Sequence, residues 1–211
     1  FAERETGERG VFALQPIEEG ELLLRLPRAA AMCVCEDGDD GAAWLPAEAR
    51  AMSAVVRTSL CLMREHALGP ASDWAPYLRL LPKSYDTLEN WSQSELNLLR
   101  GTSVHAHLAG LRDGSGDLIG MARLVYDKQV GPVVRAHPQL WPDTSPDAFL
   151  DACAAVRTRG FHDTDSGGGG PYMLPAIDML NHSRAGTATS LVVERLFPPH
   201  DLEAAAASSC G

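Results

Sequence analysis

Apolar residues follow one rhythm at the two ends of this chain and another in its middle. Near the start, Val11–Leu14 and Glu21–Leu26 are short β-like runs, with Pro16 and Gly20 bracketing the turn between them. That pattern predicts a hairpin or meander. From Trp44 to Gly160 the rhythm turns helical, and Met52, Val55, Val56, Leu60 and Met63 recur along one face. Beyond the glycine loop at Gly167–Gly170, "YMLPAIDML" reads as β-like and "SLVVERLF" at 190–197 as a further strand. The expected fold class is therefore α+β. The terminal strand segments should pair with one another around a helical insertion.

Within the helical block, two starts are chemically specified. In "WSQSEL" at 91–96, Ser92 can cap and Glu95 lies three residues on, the spacing of a capping box. Trp91 could staple onto Leu96 across that cap. Ser145-Pro146 places a capping hydroxyl before a proline at the first helical position, and the helix should run to Arg159, stopped by Gly160. The acidic "CEDGDDG" at 35–41 reads as a surface loop, and the tail "DLEAAAASSCG" carries little pattern and should be disordered.

Composition sets outer bounds. With 211 residues and 45% hydrophobic content, the chain can bury a sizeable core. A net charge of −10 with no clustered Lys or Arg leaves nothing to replace the counterions of a duplex, so no nucleic-acid partner is expected. No apolar stretch approaches the roughly 20 residues that a bilayer-spanning helix needs, so no membrane partner is expected either. The five cysteines form no regular ladder, which favours a reducing compartment. The chain opens on Phe1 rather than Met, so a piece of a longer protein is expected.

Most familiar site chemistries lack their residues. A zinc site needs three or four converging ligands. His105 and His107 lie two apart in a helical stretch and point to different faces, while His162, Asp163 and Asp165 read most economically as a polar loop. The expected metal assignment is none. No G-x-S-x-G elbow is present, Gly7–Gly10 is not a dinucleotide fingerprint, and the Gly167–Gly170 run lacks the Lys-Ser/Thr of a phosphate loop. What remains is "DMLNHS" at 178–183, an apolar run that breaks into Asn181, His182 and Ser183. By itself it fits an Asx-type turn at a strand end.

Its companions change that reading. "RGVFALQPIEEGELLLRLPR", "WAPYLRLLPKSYDT", "WSQSELNLLRGTS", "FLDACAAVRTRGF" and "YMLPAIDMLNHS" follow one another in an order that resembles the SET-domain protein methyltransferases. The similarity is to the subgroup with a long helical insertion, the Rubisco large-subunit lysine methyltransferases and their actin-histidine-methylating relatives. It spans residues 9–183. The resemblance implies a SET-type β core of short strands in two parts, residues 1–43 and 161–211, interrupted by an insertion at 44–160.

The resemblance also implies chemistry. The cofactor would be S-adenosylmethionine and the partner a protein substrate whose lysine, or histidine, accepts the methyl group. Backbone groups at Asn181 and His182 would read the adenine, and the Asn181 side chain would help hold the amino-acid end. Arg159 would pair with the cofactor carboxylate, a task suited to a fixed guanidinium. The turn at Glu8, Arg9 and Gly10 would lie against the cofactor, and Asp178 would orient the 181–182 bend from below. Each has a plainer alternative: Arg159 as a partner for the helix dipole, Glu8 and Arg9 as solvated charges, Asp178 as a cap. The resemblance implies a monomer in a plastid or cytosolic setting, and it admits a nuclear one.

Two departures matter. The family pattern continues to a Gly-Glu pair and a Tyr-Gly, whereas this chain has no tyrosine after Asn181. The C-terminal end of the core is thus expected to be incomplete, no catalytic residue is assigned, and a SET-like protein-binding module without turnover stands as the alternative. The first glycine of the usual Gly-x-Gly turn is replaced by Glu8.

Overall fold

The structure, a computed structural model, describes residues 2–3, 9–11, 13–34, 43–88, 91–105, 119–162 and 170–180. All of these belong to the compact unit Phe1–Leu180. Two short antiparallel ribbons flank the helices. Strands β1 (Ala2–Glu3) and β2 (Arg9–Gly10) pair with Ala2 opposite Gly10, and β3 (Gly160–Phe161) and β4 (Tyr172–Met173) pair with Gly160 opposite Met173. The helices are α1 (Ala47–Arg50), α2 (Ala54–Leu68), α3 (Ala75–Leu78), α4 (Gln93–Leu98), α5 (Ile119–Val125), α6 (Gly131–Ala136) and α7 (Pro146–Arg159).

Helix α2 starts where its cap dictates. Ser53 accepts the Val56 N–H at 3.5 Å, so Met52 lies before the helix rather than on its face. The expected capping box is present: the Ser92 side chain receives the Glu95 N–H and Glu95 receives the Ser92 N–H. Trp91 instead donates its indole N–H to Asp86 at 2.6 Å. Helix α7 runs as the Ser145-Pro146 start and Gly160 stop predict, with Ser145 accepting from Ala148.

Between α5 and α6 the coil widens into a π turn over Tyr126–Val130. Pro132 is the cause: it has no N–H for the carbonyl four residues back, and its ring would collide with that carbonyl. A locally wider register relieves both problems.

Helix α2 packs chiefly on α7, and the core lies between them. Leu60, Leu62, Trp141, Phe149 and Val156 are fully buried there. Each large apolar side chain so buried is worth about 1.5–3 kcal/mol. Trp141 donates its indole N–H to the Leu60 carbonyl at 2.9 Å and meets Trp44 edge-on at 6.2 Å. The buried Glu65 carboxylate is satisfied by Arg64 at 2.6 Å and the Ser72 hydroxyl at 2.7 Å, and Arg64 also lies 4.6 Å over the Trp44 ring. A buried carboxylate without such partners would be costly.

A backbone rung joins the N-terminal and C-terminal parts of this unit. Met32 and Met173 exchange N–H···O bonds of 3.0 and 2.8 Å. Thr58 ties the rung to α2, accepting the Val34 N–H and donating to the Pro171 carbonyl, both at 3.5 Å.

The β-like reading fails in two places. Residues 13–27 form no strand, and Leu22, Leu23 and Leu24 are exposed. A period of two marks a segment that suits pairing but supplies no partner for it. "YMLPAIDML" is strand only at Tyr172–Met173 and then turns through Ala176, at φ 71°, into a 3-10 turn over Ile177–Met179. The strand at 190–197 and the tail lie outside the described residues.

Cys61 and Cys153 are buried and outside any disulfide, whereas Cys33 is disulfide-bonded. No helix among the described residues is long and apolar enough to cross a membrane.

Candidate functional site

Helix α7 ends at Arg159, and the chain returns beneath it along Leu174–Leu180. Gly160 permits that return: a Cβ there would lie 2.4 Å from the Val156 carbonyl oxygen and 2.9 Å from the Pro171 Cβ. The absent side chain lets β4 run directly under the helix end. Ala176 then reverses the chain into the 3-10 turn that carries Asp178.

Arg159 is held on this turn by its Nη1, which donates to the Asp178 carbonyl at 3.2 Å, the Asp178 Oδ2 at 3.4 Å and the Met179 sulfur at 3.4 Å. The arginine side chain keeps 20% of its surface open to solvent, while the Asp178 side chain has none. Asp178 Oδ2 also accepts the Tyr77 hydroxyl at 2.8 Å, and its other oxygen, Oδ1, is buried with no hydrogen-bond partner among the described residues. Burial pushes the Asp178 carboxyl up from its ordinary range, against the pull of the Tyr77 bond and the Arg159 charge. Burial and the neighbouring carboxylate push the Tyr77 phenol up as well, which keeps it a donor. Tyr85 lies close enough to feel both Arg159 and Asp178, and burial again raises its phenol.

Tyr77 has a second face. With Pro27, Ala30, Trp74, Leu80 and Ala176 it lines an open, mostly apolar cleft of 570 Å³ with Asp73 also on its wall. Trp74 is fixed there by its indole N–H bond to the Ala30 carbonyl at 3.2 Å.

Of the residues singled out in the sequence, the structure brings Arg159 and Asp178 together. It joins them to each other, so the Asp178 carboxylate already occupies one edge of the guanidinium expected to meet a ligand carboxylate. Arg9 and Gly10 form strand β2 rather than the expected turn. Glu8, Asn181 and His182 lie outside the described residues. Tyr77 and Tyr85 went unassigned in the sequence, although "WAPYLRLLPKSYDT" carries both. Among the described residues no group of His, Cys, Asp and Glu could hold a metal ion.

An arginine edge turned partly to solvent and a turn braced from below suit the acidic end of a small zwitterion. The fold is that of a SET domain: the chain superposes on the SET domain of LSMT, solved bound to MeLysine and AdoHcy, with a TM-score of 0.67 and 23% identity over 85% of this chain and 39% of that one. No family profile matches the chain.

By sequence the chain is similar to named protein methyltransferases. It is 29% identical to N-lysine methyltransferase setd6 of Salmo salar over 200 residues, covering 83% of this chain and 40% of the relative. Against SETD6 of Homo sapiens it is 31% identical, covering 82% and 37%. Against the chloroplastic Rubisco large-subunit N-methyltransferase of Nicotiana tabacum it is 24% identical, covering 82% and 33%. The chain thus spans about two fifths of the SETD6 relatives' length.

Proposed function

We propose that this chain is part of a protein-lysine N-methyltransferase that takes its methyl group from S-adenosylmethionine. The observation that carries the reading is the Arg159–Asp178 junction at the 177–180 turn, on a SET fold whose sequence relatives are named as lysine methyltransferases. The donor, when bound, supplies a methyl carbon already activated by a sulfonium.

The chain's own residues would bind and align. Arg159 would take the donor carboxylate through its solvent-facing edge, and Asp178 would brace the arginine and the turn. Asn181 and His182 would contact the nucleoside, and Glu8, Arg9 and Gly10 would lie against it. The apolar cleft beside Tyr77 provides a wall from which water is partly excluded. The acceptor is a lysine of a protein substrate, which must shed a proton from an ordinary pKa of about 10.4 before it attacks. Burial in an apolar channel favours that loss. We read the protein as a monomer acting on protein rather than on nucleic acid or membrane, in the plastid or cytosol.

The test is transfer of labelled methyl from S-adenosylmethionine to proteins of a cell extract, with the acceptor mapped by mass spectrometry. Label on lysine is the expected result, and label on histidine would change the acceptor. Failure of the protein both to transfer label and to bind S-adenosylhomocysteine would overturn the reading.

A further inference from the structure

We propose that Tyr77 is a positioning residue: its hydroxyl fixes the Asp178 carboxylate against which Arg159 rests, and so governs how the guanidinium is presented to an anionic ligand. The inference rests on the methyl-donor reading above and extends it to a residue outside every sequence motif assigned to the donor.

The geometry gives the three groups unequal holds. Tyr77 reaches Asp178 Oδ2 at 2.8 Å, a bond of ordinary length to a buried acceptor and the closer of the two side-chain holds on that oxygen. Arg159 reaches the same oxygen at 3.4 Å and leans on the Asp178 carbonyl and the Met179 sulfur at 3.2 and 3.4 Å. The phenol therefore sets the plane of the carboxylate, and the guanidinium is the member that can shift. The carboxylate is also under-bonded, since Oδ1 is buried without a partner among the described residues. A buried carboxylate in that condition competes for any nearby cation. Tyr77 satisfies part of that demand and so leaves Arg159 able to turn toward a ligand carboxylate. Remove the hydroxyl, and Arg159 becomes the remaining side-chain donor to Oδ2. The guanidinium is then drawn inward, toward the chain's own acid.

Tyr77 stands on α3, within the helical insertion, and lies 101 positions from its acceptor. Its ring also lines the apolar cleft. One side chain thus joins the insertion, the cleft and the arginine.

The experiment measures S-adenosylhomocysteine binding by calorimetry for the wild type, Tyr77→Phe, Asp178→Asn and the double variant. Alongside it, the assigned Arg159 Nε–H resonance is followed in the ligand-free proteins. Losing a hydrogen bond to a charged group should weaken binding about tenfold in Tyr77→Phe. The Arg159 resonance should shift in the same variant without ligand, and Tyr77→Phe should cost nothing further once Asp178 is Asn. Wild-type affinity with an unmoved resonance in Tyr77→Phe overturns the proposal, as does an equal loss from Tyr77→Phe in the Asp178→Asn background. If the wild type itself gives no heat, the donor reading fails. The resonance of the ligand-free variants still decides the Tyr77 link: a shift upholds it and no shift sinks it. Should Tyr77→Phe not fold, Asp178→Asn alone must shift the Arg159 resonance, and an unmoved one overturns the proposal.

Discussion

Among the described residues, Asp178 has one oxygen shared between a phenol and a guanidinium and the other without a partner, in a place closed to solvent. Burial, the largest influence on it, raises its carboxyl pKa in the folded protein. The folded state therefore holds this proton more tightly than the unfolded chain does. Stability from Asp178 is complete below the ordinary carboxylate range and is lost as pH rises through the raised folded value. Asn at 178 cannot titrate, so the destabilisation of Asp178→Asn relative to wild type should shrink as pH climbs through that window. Urea midpoints of both proteins at a series of pH values check this, and a gap that widens with pH would contradict it. Arg159 and Asp178 were legible in the sequence because each sits in a local string of recognisable neighbours. Tyr77 was not, because nothing local ties it to an acid 101 residues away.

At the scale of elements, helix ends could be read and the extents of strands could not. Ser92 with Glu95, and Ser145 with Pro146, carry their boundaries in a few adjacent residues, since capping satisfies backbone groups locally. The runs at 11–14 and 21–26 needed a neighbour to become strands, and their alternation does not name one. The 3-10 turn at Ile177–Met179 depends on Ala176 adopting a positive φ, which alanine rarely does. Gly160 belongs to this scale because it joins α7 to β3 where backbone leaves no room for a Cβ. Gly160→Ala should lower stability by about 2 kcal/mol, the cost of overpacking a tight contact. It should also loosen Arg159 by pushing the helix end off Pro171. Denaturant unfolding gives the first effect, and the Arg159 resonance the second. A change under about 0.5 kcal/mol would mean that the junction yields more easily than its 2.4 Å approach to the Val156 oxygen implies.

For the whole molecule, the salient surface is the run Leu22–Leu24, at 59%, 48% and 46% exposure, with Leu14 almost bare at 98%. Apolar side chains exposed in a run offer a site for apolar molecules. The 211-residue chain should bind a hydrophobic dye. A Leu22→Lys, Leu24→Lys variant should lower that binding, by dye fluorescence. Unchanged fluorescence would show that this run is covered in solution. The acidic charge and sizeable core were legible from composition. This exposure was not, because hydrophobicity along a chain does not say what lies opposite.

The bonds that define the unit join distant positions: Thr58 to Pro171 across 113 residues, Tyr77 to Asp178 across 101, and Trp141 to Leu60 across 81. This has a consequence for biosynthesis. At a ribosomal rate of roughly 5–20 residues per second, Tyr77 is made about 5–20 s before the acid it will hold exists. Through that interval its phenol can bond only to water or to passing partners. The nascent helices around it must wait for the C-terminal stretch before the arginine has anywhere to rest.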